Sequence, residues 1–235
     1  MAAKPIVGIN LECECGHRSC AGFSDLLLPR WLDCIGQAGG IPLAVPPLRD
    51  ESDLNCVLDG LQAFIYAGCQ DLGPHYSDVG PEMGESNSDV LLLRSIAEKR
   101  VPFLGIGTGI QLLNVALGGT LRSLGGRDQE LPRHTHPHNP RHCLKTERGS
   151  FLSTVCPDDH TPVSSLHNFA VEHVAVGFSV TATSHEGSIE AIESDSAEWL
   201  AVGIQCVPQS DTANLDLRIF RAFLQRVASR EPQFV

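Results

Sequence analysis

The sequence predicts an α/β fold built on a parallel sheet, and three observations point there. Short apolar runs that read as buried strands alternate with segments whose apolar residues recur at helical spacing. The links between them are mostly short, which calls for right-handed crossovers between parallel strands. A chain of 235 residues that is 42% hydrophobic and 19% charged holds enough apolar surface for one substantial core, so we expect residues 1–235 to form a single domain.

In chain order, "KPIVGIN" (Lys4 to Asn10) follows a proline as a short buried strand, and a polar, cysteine-rich loop comes next. From Phe23 to Gln37, Leu26, Leu27, Trp31, Leu32 and Ile35 form a helical stripe, closed by the glycines of "AGG". "IPLAVPP" is a second strand, Asp50 to Leu58 a helix, and "LQAFIYAG" (Leu61 to Gly68) a third strand running into a turn. Gln70 to Asn87, rich in Gly, Pro, Ser and acid, reads as a long loop of the kind that serves a site. Ser88 to Lys99 is an amphipathic helix, "VPFLGI" a fourth strand and Thr108 to Leu117 another helix. Prolines forbid a helix through "RHTHPHNPRHC" (Arg133 to Cys143). "GFSVTATSHEGSIEAIE" (Gly177 to Glu193) carries two β-branched runs around His185, Glu186 and Gly187, a hairpin signal. "WLAVGIQCVP" is a last buried strand, and Leu215, Leu217, Ile219, Phe220, Phe223, Leu224 and Val227 mark a closing helix that docks its apolar face on the sheet.

Charge and composition exclude several classes of partner. The formal net charge is -11, from 17 basic against 28 acidic residues with no basic run, which leaves no footprint for nucleic acid. "MAAKPIVGIN" lacks the apolar core of a signal peptide, and no apolar run is long enough to span a bilayer, so we expect no membrane partner and a cytoplasmic location. Nine scattered cysteines suit reduced thiols. Cys13, Cys15, His17 and Cys20 combine thiolate and imidazole as a zinc set would, but their spacing is not that of a zinc knuckle, and we read them as free loop residues. His134, His136 and His138, with His142 beyond, could share a strand face around a metal. A solvated loop is the commoner explanation and the one we favour, because no carboxylate or cysteine sits at a helical spacing to complete a site, and we expect neither a metal nor a cofactor.

The stretch "VPFLGIGTGIQLLNVALGGTL" has the grammar of a nucleophile turn: a strand passes straight into a helix, with Gly105 and Gly109 allowing close packing. Such a turn lifts one residue into the cleft at the carboxyl end of the sheet, beside a helix N-terminus. Here that residue is Gly107, which also suits a strained turn with no function at all.

The elbow is similar to the "GICRGMQLLNVALGGTL" of class I glutamine amidotransferase-like proteins, and above all to their gamma-glutamyl-gamma-aminobutyrate hydrolase branch. The resemblance covers nearly the whole chain. "AGCQDLGP" stands where the family reads "TGGPDVDP", "VSSLHNFAV" for "VNSLHHQAV", "HEGSIEAIE" for "PDGVIEAIE" and "VGIQCVPQ" for "VGVQWHPE". It implies a doubly wound, mostly parallel sheet flanked by helices, flavodoxin-like, with a small antiparallel hairpin region. It also implies hydrolysis of gamma-glutamyl amides by a cysteine on the elbow, a histidine base and an orienting glutamate. Carried over position by position, these are Gly107, Val207 and Gln209, so the resemblance implies a degenerate triad and no catalytic residue of the family type. Loss of triad members lowers turnover by about 10⁴ to 10⁶.

Other departures are Thr108 for the elbow arginine, Cys69 in the oxyanion turn, and Asn168 and Phe169 after His167. Gly68, Cys69, Thr108, Gln111 and His167 are the candidate ligand-binding residues. The expected function is that of a catalytically inactive relative, a pseudoenzyme that keeps its pocket for a small gamma-glutamyl-like or amino-acid ligand or a protein partner, with a homodimer by analogy. One alternative is an active enzyme whose nucleophile has moved to Cys69 with His167 as base. Cys206 is a weaker candidate, because alternation on a strand turns it away from the side that Gln205 and Val207 address. The other alternative is a scaffold or oligomeric subunit without ligand.

Overall fold

The computed structural model describes residues 3–10, 21–68, 72, 88–124, 141–156, 162–164, 167–206 and 215–230. Its first half alternates strand and helix: β1 (Ile6–Asn10), α1 (Ala21–Gln37), β2 (Ile41–Val45), α2 (Glu51–Asp59), β3 (Ala63–Gly68), α3 (Ser88–Lys99), β4 (Phe103–Gly107) and α4 (Thr108–Ala116). Then follow β5 (Leu121–Ser123), β6 (Arg141–Thr146), α5 (Phe151–Val155), β7 (Pro162–Ser164), β8 (Phe169–Val171), β9 (Phe178–Ser184), β10 (Ile189–Ser194), β11 (Ala201–Ile204) and α6 (Leu215–Ala228).

Among the described residues nine strands form one sheet in the order β2-β1-β3-β4-β11-β10-β9-β6-β7, and β5 pairs with β8 apart from it. The strands from β2 to β11 in that order run parallel. From β11 onward each neighbour is antiparallel, so the expected hairpin grows into a four-strand extension. Side-chain alternation divides the interior into two cores. In β3, Ala63, Ile65 and Ala67 meet α1 and α6 residues such as Ile35 and Phe220, while Phe64 and Tyr66 meet α2, α3 and α4 residues such as Leu54, Leu93 and Leu112. Helices on both faces make the sheet doubly wound, and β3 is buried along its whole length, as its continuous apolar run requires.

Polar locks position these layers. The Asp50 carboxylate caps α2, accepting from the Ser52 N–H at 2.8 Å and the Asp53 N–H at 3.2 Å. At the end of β1 the Asn10 amide continues the ladder to β3, donating to Ala67 O at 3.0 Å and accepting from the Ala67 N–H at 2.8 Å. Asp216, at the start of α6, is buried and accepts from Arg30 of α1 at 2.5–2.6 Å. Cys34 lies 3.7 Å from the same carboxylate oxygen; burial first, then the Asp216 charge, pushes its thiol up to about 11.

Among the described residues "IPLAV" forms an edge of the sheet rather than an interior strand, with Ile41 and Leu43 48% and 46% exposed. The Ile41 N–H bonds inward to Pro5 O, so Pro42 falls on the outward row, where its missing N–H blunts the edge against further pairing. Among the described residues no helix is long and apolar enough to cross a membrane.

Candidate functional site

The elbow lies at the carboxyl end of β4, in the middle of the sheet between β3 and β11. Gly107 caps α4 with φ 61° and ψ −108°, a backbone conformation that side chains rarely adopt, and it offers no side-chain cap. The turn is pressed tight. A Cβ on Gly105 would stand 2.6 Å from the Gly109 carbonyl group, and one on Gly109 would collide with the Tyr66 carbonyl oxygen. These glycines allow helix and strand to touch backbone to backbone.

Four of the five candidate ligand-binding residues lie around this turn. Gly68 is the register partner of Gly107 across β3 and β4. Thr108, 1% exposed, packs directly over Gly68, its hydroxyl oxygen 2.5 Å from where a Cβ there would sit. Gln111, fully buried on the next turn of α4, accepts from the Leu72 N–H at 2.9 Å and donates to Phe169 O at 3.0 Å and Gln205 Oε1 at 3.3 Å. One amide therefore ties the elbow helix to Leu72, to Phe169 of β8 and to Gln205 just beyond β11. His167 is 3% exposed; its Nδ1 donates to Phe169 O at 2.8 Å and its Nε2 stands 3.7 Å from Glu190 Oε1. Cys69, Val207 and Gln209 lie outside the described residues, as do Cys13, Cys15, His17, Cys20, His134, His136 and His138.

Glu190 was not singled out from the sequence. It is fully buried on β10, and two imidazoles approach the same carboxylate oxygen: His167, and His142 of β6 with Nε2 at 3.4 Å. The signal for it lay in "IEAI". Ile189 and Ile192, three residues apart, pack on the same core while Ala191 packs on the other, and a regular strand cannot do this. The β9–β10 register shifts between Ile189 and Ala191, leaving Glu190 as the extra residue of a bulge.

Burial works against charge on both partners, yet their mutual contact prevails. Desolvation alone would favour a neutral His142 ring, but Glu190 holds it above the ordinary imidazole value. Desolvation would likewise raise Glu190, whereas His142 and His167 hold its carboxyl below the ordinary range. Cys206 belongs to the core on the α6 side, while Gln205 turns to α4, as strand alternation predicts. Its thiol is pushed well above the usual value by burial, then by the charge of Glu190, so it is a poor nucleophile. No group of three His, Cys, Asp or Glu side chains among the described residues is placed to hold a metal ion.

Residues 5–209 match the family model of Peptidase C26. The chain belongs to the Peptidase C26 family. Among its relatives is the "Putative glutamine amidotransferase Rv2859c" of Mycobacterium tuberculosis, 30% identical over 237 residues and covering 95% of this chain and 75% of that one. The gamma-glutamyl-gamma-aminobutyrate hydrolase PuuD of Escherichia coli K12 is 27% identical over 239 residues, covering 94% and 92% of the two chains. The fold of this Peptidase C26 member is shared by the glutaminase domain of Trypanosoma brucei CTPS, solved with bound acivicin, at a TM-score of 0.67 and 12% identity, covering 99% of this chain and 96% of that one.

Proposed function

We propose that this Peptidase C26 member does not hydrolyse gamma-glutamyl amides by the family's cysteine route, and that it keeps the elbow to bind a small gamma-glutamyl-like or amino-acid ligand. The observation that carries the reading is Gly107. The turn keeps the unusual backbone of a nucleophile elbow, φ 61° and ψ −108°, and has no side chain there to attack a carbonyl. A thiolate nucleophile, an imidazole base and an orienting carboxylate act as a unit. Glycine, valine and glutamine stand at the three corresponding positions, Gly107, Val207 and Gln209.

What favours binding is the framework around the vacant apex. The start of α4 presents backbone N–H groups at a helix N-terminus, which suit a carboxylate or a carbonyl oxygen. Gln111 and Gly68 hold that start in place against β3, β8 and β11. The alternative enzyme with Cys69 as nucleophile needs His167 as its base, and that ring is 3% exposed with Nε2 turned toward Glu190. Calorimetry with glutamate, gamma-glutamyl amides and polyamine conjugates tests the binding half. Saturable heat that Gln111→Ala weakens supports it, and no heat from any of them contradicts it in favour of a scaffold. Glutamate release abolished by Cys69→Ala would overturn the catalytic half.

A further inference from the structure

The buried His142–Glu190–His167 cluster does more than fill space, because its proton count is constrained by its surroundings. His167 Nδ1 faces Phe169 O at 2.8 Å and His142 Nδ1 faces Cys143 O at 3.3 Å. A carbonyl oxygen only accepts, so both Nδ1 atoms carry hydrogen in these contacts. Each Nε2 then meets Glu190 Oε1 either as a lone pair, in the neutral ring, or as an N–H, in the cation. A lone pair repels the carboxylate, while a second proton converts the contact into a charge-assisted one. A carboxylate with no exposure to water is strongly disfavoured without such a counter-charge.

The same residues form a closed circuit with the elbow. The Glu190 carbonyl accepts from the Gln205 N–H at 2.8 Å, Gln205 Oε1 accepts from Gln111 at 3.3 Å, and Gln111 donates to Phe169 O, the oxygen that also receives His167. We propose that His142, Glu190 and His167 form a proton-held clasp that positions the elbow helix through Gln205 and the Phe169 carbonyl, so that the elbow is fully ordered only while the cluster retains an imidazolium. These are positioning residues, and the inference does not depend on what the elbow binds.

The groups that act on the cluster, among the described residues, are few. His142 comes from β6 and His167 from the segment before β8; Glu186, in the β9–β10 turn, adds its charge to His142, and Cys206, just beyond β11, feels the charge of Glu190. The pH window follows from their directions. His142 has a folded value above its ordinary 6.5, so its contribution is complete below 6.5 and disappears as pH rises through the raised value. Glu190 has a folded value below 4.5, so its contribution is present above 4.5 and disappears as pH falls through the lowered value. The clasp is therefore held between the lowered Glu190 value and the raised His142 value, and it opens as pH rises through the latter.

The test is an NMR titration of the imidazole rings of the full chain between mildly acidic and alkaline pH, with His142→Gln assigning the His142 signal. Hydrogen-exchange protection of Phe169 to Val171 and of Gln111 is followed alongside, corrected for intrinsic exchange. The expected result is a His142 midpoint above the ordinary value and a stepwise drop in protection through that midpoint. In Glu190→Gln the midpoint falls to or below the ordinary value and the step in protection is lost. An unchanged midpoint in Glu190→Gln, or protection flat across the wild-type titration, overturns the clasp. If Glu190→Gln does not fold, His142→Gln decides: loss of the protection step supports the inference, and its persistence overturns it.

Discussion

Replacing Gly107 by alanine adds one methyl group at the point where the elbow turns, and the structure sets the size of the effect. At φ 61° and ψ −108° a Cβ is in a region that only glycine occupies freely. Holding another residue there costs about 1–3 kcal/mol. For a chain of this size each kcal/mol shifts the melting temperature by roughly 2–4 °C, so Gly107→Ala should melt roughly 2–12 °C lower. Gly36 is the internal control. It lies inside α1 with nothing within 4 Å of where a Cβ would stand, so Gly36→Ala should stabilise by about 0.5–1 kcal/mol. Urea unfolding of the three proteins reads both effects as midpoint shifts at constant slope. If Gly107→Ala is as stable as the wild type, the elbow does not hold the conformation on which the functional reading rests.

Three more outcomes follow from other contacts. Asp216→Ala leaves Arg30 without its buried carboxylate partner and should cost up to ~3 kcal/mol, limited by the access Arg30 retains to water, read as a lower urea midpoint. Asn114 on α4 donates to Thr120 O and His173 O at 3.0 Å each and accepts from the Ala175 N–H at 2.8 Å, so Asn114→Ala strands several backbone groups and should cost at least ~2 kcal/mol in the same assay. Among the described cysteines, peptide mapping after brief alkylation near neutral pH should find exposed Cys56 labelled well before buried Cys34, Cys156 and Cys206. Cys34, held at about 11, and Cys206, held well above its usual value, should react only on unfolding.

The parts of the fold that were legible in the sequence are those with a local pattern. Ser88–Lys99 shows helical spacing and "LQAFIYAG" a continuous apolar run, and both became the elements expected of them. β5, β7 and β8 have only three residues each, too few to show a period, and exist because distant partners complete their ladders. The edge position of β2 was hidden too, since an apolar run reads the same on an edge as in the interior, and only Pro42 hinted at it. Around the elbow, Gly68, Gly107, Thr108 and Gln111 were legible because turn glycines and motif order mark them. His167 was legible as a position and not as a partner. Its contact with Glu190 spans β8, β9 and their connections, and the bulge that aims Glu190 inward shows in the sequence only as a three-residue spacing of isoleucines.

We propose that the elbow has kept its shape and lost its chemistry. The most direct measurement is glutamate release from gamma-glutamyl amides by the purified chain, beside an active gamma-glutamyl hydrolase at equal concentration. The account predicts a rate about 10⁴-fold or more below that enzyme, indistinguishable from the blank. Saturable turnover within about a hundredfold of it would require a working nucleophile elsewhere in the cleft, because triad loss alone costs far more than that, and would contradict the account.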